Sequence, residues 1–135
     1  MNILIVLTSV SCVPGTNHKT GTWFEELAAP YYVFMDAGAK VTLASLHGGA
    51  GPLDPLSESA GAQTAETRRF LADPVARAAL GNTVTLASID PADFAGVFYC
   101  GGLGPVFDVT DDAKSRFRVD RCCEPDAKHG MLVDQ

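Results

Sequence analysis

The sequence predicts an α/β domain built on a mainly parallel sheet, and three observations carry that expectation. Residues 3–8 form a continuous apolar run rich in β-branched side chains, the pattern of a strand covered on both faces. Residues 20–37 follow with helical periodicity, and residues 40–45 return to a strand-like run. A β-α-β unit of this kind has parallel strands and a right-handed crossover. At 135 residues the chain suits one compact domain.

Each element has its own justification. Pro14, Gly15 and Asn17 mark residues 9–19 as a loop. In the helix over 20–37, Trp23, Leu27, Tyr31 and Phe34 share one face, and Gly38 is a good stop. Pro30 removes one backbone bond and should kink or loosen that helix. Thr22 and Glu25 have capping-box spacing, which turns Glu25 towards solvent. Residues 47–57 carry Gly48-Gly49, Gly51-Pro52 and Asp54-Pro55, too irregular for a strand and expected to cover a sheet edge. Residues 64–71 and 74–80 are short helices, with Asp73-Pro74 as cap and first-turn proline of the second. Residues 83–88 alternate weakly, as a short extended segment or a helical remnant. Residues 95–100 are a third buried strand, ending at Gly101-Gly102. Beyond residue 111 basic and acidic side chains mix without an apolar face, and only Met131, Leu132 and Val133 look like a strand. An α/β domain seldom ends on a fresh strand, so the sequence reads as cut short.

Composition excludes several classes of function. Hydrophobic residues make up 47% of the chain and charged ones 19%, enough to bury a core. The formal charge of −6 repels phosphate backbones, which argues against nucleic-acid binding. No apolar run approaches the roughly 20 residues that span a bilayer, and the start lacks the cationic region of a signal peptide. A soluble cytoplasmic protein without membrane contact is expected. Cys12, Cys100, Cys122 and Cys123 show no zinc spacing, and reduced thiols suit them best.

Two phosphate-loop resemblances fail on their glycines. Lys19-Thr20 would end a Walker loop only with glycines where Val13 and His18 stand. A dinucleotide fingerprint from Gly102 meets Phe107 at its third glycine. More informative is Gly101-Gly102-Leu103-Gly104-Pro105 directly after a buried strand, because amides at that edge approach ligands closely and can stabilise an oxyanion. An ordinary tight turn has the same spacing. Glu26 lies beside the Trp23/Leu27 stripe, and a carboxyl against apolar groups is suited to proton transfer near neutrality; a first-turn acid favoured by the helix dipole is its plain alternative. His18, His47 and His129 stand alone in loops and read as surface residues.

Three stretches carry a family resemblance: Lys19 to Pro30 (KTGTWFEELAAP), Val41 to Ser45 together with Gly51 to Ser57, and Asp93 to Asp108 (DFAGVFYCGGLGPVFD). They resemble the DJ-1/PfpI superfamily, which is class I glutamine amidotransferase-like, and within it the glyoxalase III and stress-chaperone branch. The resemblance covers residues 1–112, leaving residues 113–135 as a divergent tail. It implies a flavodoxin-like three-layer sandwich whose C-terminal part is missing. It also implies conversion of methylglyoxal to lactate by a cysteine on a nucleophile elbow, without cofactor or metal, in a family that includes protein deglycases, peptidases and chaperones and allows a homodimer. By position, Glu26 matches the motif glutamate that assists proton transfer, and Gly102 the glycine whose amide helps form the oxyanion hole. Leu103 stands where the family usually has histidine, and Cys100 where it commonly has proline. The elbow sequence, expected roughly thirty residues after the glycine turn, is absent, so the resemblance implies a chain without its nucleophile. A non-catalytic binding module or a partial gene product is the alternative.

Overall fold

Five strands form one sheet in the computed structural model, which describes residues 1–110, 112 and 130–133. They are β1 (Asn2–Leu7), β2 (Lys40–Ser45), β3 (Val84–Thr85), β4 (Gly96–Tyr99) and β5 (Gly130–Val133), in the order β3-β2-β1-β4-β5. Every pairing is parallel. β1 is central, and five of its six residues are buried, as its unbroken apolar sequence requires. The weakly alternating stretch after residue 82 resolves into both of its readings, the short β3 followed by a 3-10 turn at Leu86–Ser88.

The helices are α1 (Phe24–Asp36), α2 (Ala65–Ala72) and α3 (Pro74–Gly81). Their apolar side chains pack on one face of the sheet, where Ile3, Ile5 and Leu7 of β1 meet Phe24, Leu27, Tyr31, Phe70 and Ala76. On the other face Leu4, Val6 and Val97 pack under Leu86, Phe94 and Val109, brought in by 3-10 turns and their flanks. The result is an α/β sandwich of flavodoxin-like type. Right-handed crossovers explain the sidedness: β1 to β2 and β2 to β3 move in one direction across the sheet, so both connections lie on the same face. Among the described residues no helix is long and apolar enough to cross a membrane.

Two local expectations need correction. The buried face of α1 is formed by Phe24, Leu27, Ala28, Tyr31 and Tyr32, whereas Trp23 and Phe34 are only half-buried. Phe70 explains the rotation: it packs edge-on against Phe24, Tyr31 and Tyr32, with ring centroids 5.5, 5.3 and 6.3 Å away. Thr22 also forms no capping box, since the cap residue is Trp23 and makes no side-chain bond to the helix. The Thr22 hydroxyl instead accepts from Thr8 N–H at 3.3 Å, and its backbone exchanges bonds with Pro52 and Asp54. α1 runs through Pro30 as one continuous helix.

The cap of α3 is as expected. Asp73 accepts from Val75 and Ala76 N–H, and also from Tyr32 Oη at 3.0 Å. These bonds hold the Asp73 carboxyl below the usual carboxylate range, the Ala76 amide contributing most. Arg69 of α2 grips Asp36 of α1 through two bonds of 2.8 Å, lowering that carboxyl too, and its guanidinium stacks over the Tyr32 ring. Three helices are thereby tied at one corner.

Candidate functional site

Parallel strands bring all their carboxyl ends to one edge. Ligands of open α/β sheets bind there, at the point where the strand order reverses. In this sheet the chain steps outward from β1 through β2 to β3, then returns to add β4 on the other side of β1. The reversal therefore lies between β1 and β4.

Three backbone segments converge on that crevice. The loop before α1 bonds the loop after β4 through Trp23 N–H to Gly101 O (3.1 Å) and Gly104 N–H to Gly21 O (3.2 Å). The same loop bonds the turn-rich segment through Thr22 N–H to Pro52 O and Asp54 N–H to Thr22 O, both 2.9 Å. Such close approach demands glycine. A Cβ on Gly102 would stand 2.8 Å from Trp23 N, and its φ of +123° lies in the region that side chains avoid.

Glu26 enters from the first turn of α1, anchored by Glu26 N–H to Trp23 O at 3.1 Å. Its Oε2 is sealed from solvent. The carboxyl lies against Gly101, where any Cβ would collide with it. The fold thus brings Glu26 and the Gly101-Gly102 turn, distant in sequence, to the same corner. Among the described residues no backbone carbonyl takes up the Gly102 N–H.

Sequence reading missed two supports. Asp108, after the 3-10 turn Gly104–Phe107, accepts from Thr8 Oγ1 and Ser9 N–H, both 2.8 Å, and so fastens the glycine loop to the end of β1. Cys100 is 4% exposed, and its thiol donates to Glu26 O at 3.4 Å. An aspartate after a glycine-proline turn was the available signal for the first; nothing local announces the second. His18 and His47 are exposed, and His47 N–H donates to Ser9 Oγ at 3.0 Å. His129, Cys122 and Cys123 lie outside the described residues. Among the described residues no cluster of His, Cys, Asp and Glu could hold a metal ion.

No protein-family model and no curated protein matches the sequence. Solved structures do. The 24 kDa Rapid Encystment Protein of Francisella tularensis is 30% identical with a TM-score of 0.80, over 87% of this chain and 52% of that one. Glyoxalase III from Candida albicans is 26% identical with a TM-score of 0.73, over 89% and 51% respectively. A ThiJ/PfpI domain protein from Brachyspira murdochii shares the fold at 18% identity, with a TM-score of 0.61 over 98% and 57%. The chain spans about half the length of these structures, with 52%, 51% and 57% of each covered. The chain shares their parallel sheet and, with the first two, a quarter or more of the aligned residues, which supports its resemblance to the DJ-1/PfpI superfamily.

Proposed function

We propose that this chain carries the proton-transfer and oxyanion-binding half of an aldehyde-processing centre like that of glyoxalase III, and that it is catalytically incomplete by itself. The observation that carries the reading is the Glu26 carboxyl set against Gly101, one residue from the Gly102 amide, at the sheet's reversal point. Methylglyoxal plus water gives lactate with no outside oxidant, because the aldehyde carbon is oxidised while the ketone carbon is reduced. That chemistry needs a nucleophile on the aldehyde carbon, a base to carry a proton between the two carbons, and donors for the developing oxyanion. Glu26 serves as the base and the Gly102 amide as a donor.

The nucleophile is the missing part among the described residues. A thiol attacks as thiolate, whereas the buried Cys100 donates its proton to Glu26 O. Cys12 sits on the loop after β1, bridged to Lys19. Incubation of the chain with methylglyoxal, with D-lactate measured, tests the reading, and no Glu26-dependent lactate is expected. Lactate formation abolished by Glu26→Ala would refute incompleteness but keep the role of Glu26; vigorous turnover surviving Glu26→Ala would refute both.

A holding or binding module is the second reading. It draws on Leu103, Val106 and Phe107, which are 44%, 54% and 38% exposed on the loop after β4. Suppression of client aggregation, lost in Val106→Ser/Phe107→Ser, would favour it.

A further inference from the structure

Pro30 lies inside α1 and has no backbone N–H. In an α-helix the amide of residue 30 would bond the carbonyl four residues earlier, that of Glu26. Here the Glu26 carbonyl accepts from the Cys100 thiol instead, at 3.4 Å. The thiol comes from a rigid place. Cys100 directly follows β4, and its own N–H continues the sheet ladder to Val6 O at 3.0 Å. The next residue is Gly101, against which the Glu26 carboxyl rests.

We propose that Cys100 is a positioning residue: its thiol takes over the carbonyl that Pro30 leaves open, and thereby holds the Glu26 carboxyl against Gly101. One bond thus joins the first turn of α1 to the end of β4 across the crevice. A proline at this place in the helix, which alone would leave an acceptor open in a packed interface, becomes the reason that helix and strand are tied. The proposal rests on the assignment of Glu26 to proton transfer only for its catalytic consequence; the bond itself does not depend on it.

The test is a double-mutant cycle with an added titration. Denaturant unfolding is followed for the chain, Cys100→Ala, Pro30→Ala and the double variant, because pairwise coupling appears as non-additivity. Pro30→Ala restores the helical donor, so Cys100→Ala should lower the unfolding midpoint in the Pro30 chain and do so much less in the Pro30→Ala chain. The Glu26 carboxyl is also titrated by carbon NMR. Its midpoint should move in Cys100→Ala and return in Cys100→Ser, whose hydroxyl is also a donor. Equal midpoint losses in both backgrounds would overturn the tie, and an unmoved Glu26 titration would overturn the positioning role. If Cys100→Ala alone fails to fold, folding of the double variant supports the proposal and its failure counts against it. Neither readout needs turnover, so a chain inert towards methylglyoxal would bear on the proposed function and not on this bond.

Discussion

Residue 101 has no side chain because the Glu26 carboxyl occupies the space where one would be. Gly101→Ala should therefore displace that carboxyl at a cost below the usual range of about 1–3 kcal/mol for forcing volume into a packed site, because the atoms met are the movable end of a flexible side chain. Denaturant unfolding measures the cost, and NMR of Glu26 reports the displacement. Gly102→Ala should also destabilise the chain, since it combines a φ of +123° with a Cβ 2.8 Å from Trp23 N. An unfolding curve unchanged from the original would contradict this. Glu26 and the glycine turn were legible in the sequence because each belongs to a contiguous run, one opening a helix and one closing a strand. Cys100 was not legible as a partner of Glu26. Its role depends on a proline seventy positions earlier in the chain and on the register that sets β4 beside β1.

At the level of elements, the sequence located the strands well because β1, β2 and β4 are short, apolar and bounded by turns. Helix faces were harder to place. Periodicity on α1 pointed to the stripe of Trp23, Leu27, Tyr31 and Phe34, and the face actually buried is set by Phe70 of α2, a tertiary partner that periodicity cannot see. Phe70 is fully buried among three aromatic rings. Phe70→Ala should cost about 3–5 kcal/mol of stability, read by denaturant unfolding; a loss under one kcal/mol would mean that this cluster is not the core described. Thr64 caps α2, exchanging bonds with Thr67 as a capping box. Thr64→Ala should cost about 1 kcal/mol, measured in the same way. The box expected at Thr22 failed because that threonine was already committed to Thr8, Pro52 and Asp54. Local spacing signals a cap only when no other segment claims the residue.

For the molecule as a whole, pH should limit stability from both sides. The Asp36 and Asp73 carboxyls are lowered by their bonds to Arg69 and to the Ala76 amide, respectively. Their contribution is present above the ordinary carboxylate value of about 4 and is lost as pH falls through their lower folded values. Tyr31 and Tyr32 are raised, chiefly by burial and then by Asp73. Their contribution is present below about pH 10 and is lost as pH rises through the higher folded values. Unfolding midpoints across pH should show a plateau with both limbs, and Asp73→Asn should weaken the acid one. A flat profile into strong acid would contradict the helix corner described above.

Strand order supplies the larger design. It sets the reversal point between β1 and β4, and Glu26 and Gly102 gather there from opposite sides. The most direct measurement asks whether any thiol of this chain attacks an aldehyde as an enzyme's would. The chain is mixed with methylglyoxal, thiols still free at timed intervals are alkylated with iodoacetamide, and each cysteine is followed by mass spectrometry, those labelled by the aldehyde escaping alkylation. Cys12, Cys100, Cys122 and Cys123 should each be labelled no faster than cysteine in a short peptide. Rapid labelling of any one of them, slowed by Glu26→Ala, would contradict it.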